Sequence, residues 1–232
     1  MITVKLDLFT DTKPKKESER YTDNELYADF LHSPWLYYKK VTGLAPMDEA
    51  DFLESAFKCR VLLGRDRYEQ TFFGNMLPNQ TDLIENMAAG IAMNDAAIDV
   101  ILYGMGNPFS QTNRKGVHCV ANADWLHPTE GATYIITCDD IRNAAEEITK
   151  RMIPAKAGFF RNISFDSCGV MLDVWVIAVE KKEPYTCGIW KLSDTLLCSE
   201  SKLVDDTLAK VYDNFDSGFW GTMYDHVRVF GV

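Results

Sequence analysis

The chain has 232 residues, of which 47% are hydrophobic and 25% are charged, and its formal net charge is −10. This length predicts one domain over residues 1–232 with a substantial core, and no apolar run is long enough to cross a membrane. Proteins that hold nucleic-acid backbones usually have a basic surface, so the acidic charge argues against DNA as the main partner and favours a basic protein. The N-terminus has no apolar signal core, and we expect a cytoplasmic protein.

The motifs of common cofactor sites are absent from the sequence. The six cysteines form no CxxC pair, and the four histidines form no HxxxH or HExxH arrangement. There is no P-loop, GxGxxG or GxSxG element. These absences argue against zinc, iron–sulfur and nucleotide sites, and the cysteines are predicted to be buried, unpaired side chains of a reducing compartment.

Helical patterns dominate the first half of the chain. Thr22-Asp-Asn-Glu25 fits a capping box, and Ser33-Pro34 fits the start of a second helix. Apolar residues at i, i+3 and i+4 spacing indicate further helices. In chain order we predict a strand at 2–9, a polar loop at 10–20, helices at 25–31, from 34, at 47–63 and (one long or two short) at 80–103, with a charged connector at 65–73.

Strand patterns dominate the second half. Residues 117–125 alternate loosely and end beside an acid, Asp124, while β-branched and aromatic residues fill 133–138. Two further runs, 170–179 and 185–192, are joined by a polar turn that predicts a hairpin. Helices are predicted at 141–151, capped by Asp139-Asp140, and at 195–213. These elements predict an α/β (α+β) fold in which helices flank a central mixed sheet.

Three segments carry a resemblance to a known family. The C-terminal stretch 175–225 contains VEKKEPY, then a strand, a long helix and a closing GFWG. Residues 33–39 read SPWLYYK, and residues 55–73 read SAFKCRVLLGRDRYEQTFF. In this order the segments resemble the RecE-type (exonuclease VIII-like) phage recombination nucleases, members of the PD-(D/E)xK superfamily. The resemblance covers nearly the whole chain and implies a nuclease-like core.

The resemblance also implies a chemistry and the positions that would perform it. In that family carboxylates hold a divalent metal that activates water, and a lysine stabilises the transition state. The family's helix histidine falls on Lys58, and its first-strand acid is kept as Asp124. Its D-x-K falls on Tyr134 and Ile136. The glutamine and tyrosine of its next helix fall on Lys156 and Phe160, and no acid stands at 107–110, where another is expected.

These losses predict that no catalytic set is intact, and that Lys58, Asp124, Tyr134, Ile136 and Lys156 are vestigial positions. We accordingly expect no cofactor and no bound Mg²⁺ or Mn²⁺, because one carboxylate with waters holds Mg²⁺ weakly. The leading hypothesis is an inactive pseudonuclease of phage or prophage origin in the bacterial cytoplasm. It would bind a host or phage protein complex and could inhibit host defence or repair.

Two alternatives remain open. The first is an active metal-dependent 5′–3′ DNA exonuclease with relocated ligands, for which Asp124, Asp139, Asp140 and Asp173 are the candidates. The second is a non-catalytic DNA-binding or oligomeric subunit in phage recombination, since family members form rings. Digestion of linear duplex DNA would favour the first alternative, and salt-dependent DNA binding would favour the second.

Overall fold

The computed structural model describes residues 20–44 and 52–221, so the strand predicted at 2–9 and most of the polar loop after it lie outside the described residues. The helices are α1 (Asn24–His32), α2 (Pro34–Val41), α3 (Phe52–Leu62), α4 (Arg65–Thr71), α5 (Pro78–Ala92), α6 (Asp95–Ile101), α7 (Ala144–Lys150), α8 (Ile153–Cys168) and α9 (Asp194–Ser217). The strands are β1 (Tyr21–Asp23), β2 (Met105–Gly106), β3 (Phe109–Arg114), β4 (Val117–Asn122), β5 (Trp125–His127), β6 (Gly131–Cys138), β7 (Val174–Glu180) and β8 (Cys187–Lys191).

A mixed five-stranded sheet forms the centre of the fold, with strand order β2-β5-β6-β7-β8. The two central strands, β6 and β7, run parallel, with Tyr134 opposite Val176 and Ile136 opposite Ala178. The remaining pairs are antiparallel, including the predicted β7–β8 hairpin. A second sheet, in the order β1-β4-β3, has three strands. The predicted α/β fold with a central mixed sheet and flanking helices is confirmed.

The period of two along β6 places its neighbouring side chains in two different hydrophobic cores. Tyr134 and Ile136 pack into the core that α1, α8 and α9 cover, whereas Ile135 packs into the core beneath α3, α5 and α6. Helices therefore cover both faces of the sheet, and every residue of β6 is buried.

The single strand predicted at 117–125 is wrong. It is divided into β4 and β5, which belong to different sheets. Between them the Ala123 N–H donates to the Pro108 carbonyl, whereas the Asp124 N–H donates to the Thr133 carbonyl of β6. The chain thus changes partner at this point. Alternation alone does not reveal such a change, because both halves keep the extended conformation.

Several helix boundaries also differ from prediction. The segment 65–73, predicted as a connector, contains α4, in which Tyr68 is the buried residue. Of the two alternatives for 80–103, the structure has the two shorter helices, because the Asn94 side chain accepts the Ala97 N–H and caps α6. The α1 cap is Asp23 rather than Thr22, since the Asp23 carboxylate accepts the Leu26 N–H. Segment 141–151 begins as a 3₁₀ turn, Ile141–Asn143, capped by Asp140 as predicted.

The hairpin strands and two helices have shifted ends. The strand predicted at 170–179 begins only at Val174, after the left-handed Gly169, and its partner predicted at 185–192 covers Cys187–Lys191. The helix predicted at 195–213 extends over α9, whereas the helix predicted at 47–63 is described only from Phe52.

The cysteines are all free, as expected, but they are not uniformly buried. Cys119 and Cys138 lie in the core, Cys198 is exposed, and the other three are intermediate. Among the helices at 20–44 and 52–221, none combines the length and apolar character that a bilayer span requires.

A substitution at Gly131 tests how closely the start of β6 packs against the segment before β7. Its φ is +95°, and a Cβ there would lie 2.3 Å from the Asp173 carbonyl oxygen. We expect Gly131→Ala to lower the free energy of unfolding by about 2–4 kcal/mol, because it adds backbone strain to a collision with fixed backbone. Urea denaturation measures this loss.

Gly169→Ala is the matched control. Gly169 also has a positive φ, +67°, but a Cβ there would meet no atom within 4 Å. The control is expected to lose only about 1 kcal/mol through strain. Equal losses in the two variants would contradict the close packing of Gly131 against the turn before β7.

Candidate functional site

A cavity of about 490 Å³ opens where β4 and β5 separate beside β6. The structure brings to its wall all five positions that the sequence singled out: Lys58, Asp124, Tyr134, Ile136 and Lys156. They come from α3, from the β4–β5 junction, from β6 and from α8. Spacing along the chain gave no indication of this assembly, because nearly one hundred residues separate the first from the last.

The outer edge of β6 explains why charged groups gather here. Its inner edge pairs with β7 along the strand, but β5 covers the outer edge only from Gly131 to Thr133. Beyond that point side chains replace a strand partner. The Ile135 N–H donates to Asp124 Oδ2 at 2.7 Å, and the Thr137 carbonyl accepts from Arg151 Nη2 at 3.0 Å. Asp124 and Arg151 therefore act as hydrogen-bond partners for the backbone of β6.

Glu54 is the second acid of the cavity, and the sequence analysis missed it. Its Oε2 accepts from the Thr137 hydroxyl at 3.1 Å and lies 2.6 Å from Arg151 Nη1. Arg151 also pairs with Glu147 at 2.7 Å. Glu54 and Lys58 are four residues apart on α3, so they share a helix face. That spacing was the only signal in the sequence that could have identified Glu54.

Lys58 lies between the two acids. Its Nζ is 3.3 Å from Glu54 Oε1, 3.0 Å from Asp124 Oδ2 and 3.1 Å from Asp124 Oδ1. The lysine side chain is 26% exposed, and those of the acids are 13% and 20% exposed. The three charges therefore interact through a medium that is only partly aqueous, where attraction is stronger than at an open surface.

Electrostatics holds Glu54 and Lys58 in their charged forms. Burial alone would raise the pKa of the Glu54 carboxyl, but Lys58 and Arg151 outweigh burial and hold that pKa below its usual 4.5. Burial alone would lower the pKa of Lys58, but Asp124 and Glu54 outweigh it and raise that pKa above 10.5. Each shift has the sign expected when an opposite charge dominates desolvation.

Tyr134 belongs to a neutral hydrogen-bond cluster on the other side of the cavity. Its hydroxyl donates to the Asn122 carbonyl at 2.9 Å and accepts from Asn24 Nδ2 at 3.1 Å. Asn24 also accepts the Asn122 N–H and donates to the Lys156 carbonyl, which ties α1, β4 and α8 together. Burial raises the pKa of the Tyr134 phenol well above its usual value, so the group is a neutral donor.

The remaining family positions have structural surroundings as well. Ile136 is 2% exposed and Phe160 is fully buried. Lys156 pairs with Glu25 at 2.6 Å across the mouth of the cavity. Asn107, at the start of the segment where the family's acid was expected, donates its N–H to the Asp124 carbonyl at 2.9 Å. That segment therefore contacts Asp124 through its backbone.

The structure does not bring the other candidate ligands to Asp124. Asp140 caps the 3₁₀ turn and pairs with Arg142 at 2.6 Å. Asp139 lies 3.3 Å from Lys181, and Asp173 lies 2.6 Å from Lys191. None of these three acids lines the cavity. The relocated metal site considered in the sequence analysis is therefore not assembled from them.

Comparison with known proteins supports the fold. No protein-family model matches the sequence, and no curated protein is detectably similar to it. A crystal structure from Eubacterium rectale, described as a "putative exonuclease", matches 95% of this chain and 96% of its own with a TM-score of 0.69 and 11% sequence identity. At this identity the similarity shows the fold alone. The chain has a nuclease-like α/β fold.

Glu54→Gln tests the ion-pair network. The pKa of Glu54 is lower in the folded than in the unfolded state, so its ionised form stabilises the fold above about pH 4.5. This contribution is lost as the pH falls through the folded pKa. We expect the variant to be less stable than the natural protein by about 1–3 kcal/mol at neutral pH, and the difference to shrink in acid.

Urea denaturation across this pH range measures the effect. Glu146→Gln, which changes an exposed glutamate on α7, is the control and should cost little at any pH. A difference for Glu54→Gln that stayed constant from neutral pH into acid would show that Glu54 is not held ionised by Lys58 and Arg151.

Tyr134→Asp combined with Ile136→Lys tests whether these side chains are packing residues. Both lie on one face of β6 and are 7% and 2% exposed. The pair of charges would face a desolvation penalty of several kcal/mol per ion, against a total stability of roughly 5–15 kcal/mol for a domain. We expect the double variant to be unfolded or severely destabilised in a thermal melt.

The control makes the same two changes at exposed positions with the same spacing, Gln111→Asp with Asn113→Lys on β3. It should fold normally. An unchanged melting temperature for the double variant on β6 would show that the cavity accepts charge at positions 134 and 136, which would favour the nuclease and DNA-binding hypotheses.

Proposed function

We propose that this protein is a catalytically inactive member of the nuclease-like fold that acts by binding another protein. The proposal rests on the identity and burial of two side chains of β6. Tyr134 and Ile136 are buried packing residues at the positions where the resembling family has its acid and lysine. A setting in a phage or prophage, with a host defence or repair complex as the target, follows from the same resemblance.

The residues of the cavity do not fit a metal centre for hydrolysis. Phosphodiester cleavage requires on the order of 15–20 kcal/mol of catalysis, and in metal-dependent nucleases a positioned metal and its activated water contribute to it. Mg²⁺ prefers several hard oxygen ligands in near-octahedral geometry. Within residues 20–44 and 52–221, no group of three His, Cys, Asp or Glu side chains could hold a metal. Of the three acids that line the cavity, Glu54 and Asp124 are the least exposed, and both already bind cations and the edge of β6.

The charges of the cavity also argue against a phosphate-binding role. Three basic side chains line it, and each is paired with an acid: Lys58 with Glu54 and Asp124, Arg151 with Glu54, and Lys156 with Glu25. A phosphate would have to compete with those carboxylates. This weakens the alternative of a DNA-binding subunit, which needs cations that are available to the backbone.

An acidic surface on α5 and α6 supports a basic protein partner. Residues 68–113 contain five acids and no lysine, arginine or histidine, which contributes −5 of the net charge of −10. Asp82, Asp95 and Asp99 in α5 and α6 are exposed. Met93 and Tyr103, just after these two helices, are 85% and 86% exposed. Exposed aromatic and methionine side chains within a charged surface are typical of protein interfaces.

The active exonuclease remains the second candidate because of one observation. Glu54 and Asp124, two acids from distant parts of the chain, converge on one cavity and are separated there by a single ammonium group. If that group moved, two carboxylates would face each other. A digestion assay separates this candidate from the proposed function.

The first experiment incubates the purified protein with linear duplex DNA and Mg²⁺ or Mn²⁺. We expect the natural protein to digest no more DNA than the Asp124→Asn variant does, because neither protein holds a catalytic metal. Metal-dependent digestion that is lost in Asp124→Asn would overturn the proposed inactivity and establish the exonuclease.

The second experiment captures partners from bacterial lysate. The triple variant Asp82→Asn, Asp95→Asn, Asp99→Asn should lose the basic partner that the natural protein retains. A control with the same change of charge elsewhere, Glu183→Gln, Asp206→Asn, Asp213→Asn, should keep it. No specific partner, or equal loss in the two triple variants, would count against protein binding through the acidic surface.

A further inference from the structure

The cation between Glu54 and Asp124 belongs to the chain itself. Lys58 donates to three of the four carboxylate oxygens of this pair, namely Glu54 Oε1 and both oxygens of Asp124. The fourth, Glu54 Oε2, is occupied by Arg151 and Thr137. Every carboxylate oxygen at the centre of the cavity therefore already has a donor from the protein.

We propose that the Lys58 ammonium is the resident cation of this cavity and takes the place that a divalent ion has between carboxylates. This inference rests on the proposed function, since a metal-dependent enzyme would need that place free. It goes further in stating that a single side chain closes the site to metal, and that its removal creates a divalent-cation site from Glu54 and Asp124.

The edge of β6 supplies the physical reason for a resident cation. Asp124 and Glu54 are held close together because they accept the N–H of Ile135 and the hydroxyl of Thr137 on the same strand edge. Two close carboxylates repel each other, and a positive charge between them removes that cost.

A lysine provides this charge without depending on the supply of free metal. It is tethered on α3, one helical turn after Glu54, so its effective concentration at the site is fixed by the fold. Divalent ions must in addition shed tightly held water, which Mg²⁺ does reluctantly. The Lys58 ammonium group therefore occupies the place between the two carboxylates in preference to a metal ion.

The experiment compares Mn²⁺ binding by the natural protein and by Lys58→Met, using the paramagnetic resonance signal of free Mn²⁺ and the melting temperature. Methionine keeps much of the length of the stem but removes the charge. We expect Lys58→Met to bind Mn²⁺ and to gain melting temperature in millimolar Mn²⁺. The natural protein should show neither effect at this cavity.

Three controls define the site. Lys58→Met with Asp124→Asn should lose the gained Mn²⁺ binding, because one of the two carboxylates is gone. Lys156→Met, which removes the other lysine of the cavity, should bind no Mn²⁺, since its partner Glu25 is 57% exposed at the mouth. Lys58→Arg keeps the charge and should also bind none. If Lys58→Met does not fold without metal, Lys58→Gln gives the same comparison with a polar side chain.

Absence of Mn²⁺ binding in folded Lys58→Met or Lys58→Gln would overturn the inference. It would also be overturned if the natural protein bound Mn²⁺ as tightly as the variants and lost that binding in Asp124→Asn. Neither result depends on DNA digestion by the natural protein, so the failure of this inference and the failure of the proposed function are distinguishable.

Discussion

The open edge of β6 is the constraint on which the cavity depends. β5 pairs with β6 only as far as Thr133, and β4, which precedes β5 in the chain, belongs to the second sheet. The backbone of β6 from Ile135 to Thr137 is therefore left without a strand partner on that side. A buried N–H or carbonyl without a partner costs about 1–3 kcal/mol. Asp124, Glu54 and Arg151 supply the missing partners, and Lys58 neutralises the two acids that the edge requires.

This constraint changes how the acids of the cavity are interpreted. An acid in a cleft of a nuclease-like fold suggests metal binding, yet Asp124 and Glu54 have structural tasks that account for their positions and charges. A perturbed pKa is equally ambiguous, because structural ion pairs shift pKa values just as catalytic groups do. The distinguishing feature is the neighbouring strand face, where Tyr134 and Ile136 complete a hydrophobic core rather than a ligand set.

The sequence predicted the elements whose own side chains determine them. The alternation and β-branched content of β6 and β7, and the apolar face of α9, gave the central strands and the long helix approximately correctly. The misses depend on distant partners: β1 has three residues and pairs with β4 nearly one hundred residues later, and the polar β3 is recognisable only from its pairing with β4. The helix α4 was missed because only Tyr68 on it is buried, so it has no apolar stripe.

The residues of the cavity were only partly predictable from the sequence. The resemblance to a nuclease family selected five positions, and the structure brings them to one cavity, although their vestigial role stays a prediction. Glu54, Arg151 and Asn24 were missed because their roles arise from packing α1, α3 and the α7–α8 junction against β6, which no local pattern encodes. Tyr134 ties β6 to α1 through Asn24, and Lys58 neutralises the two acids that bind the open edge of β6. The residues of the cavity therefore hold the central sheet and its covering helices together.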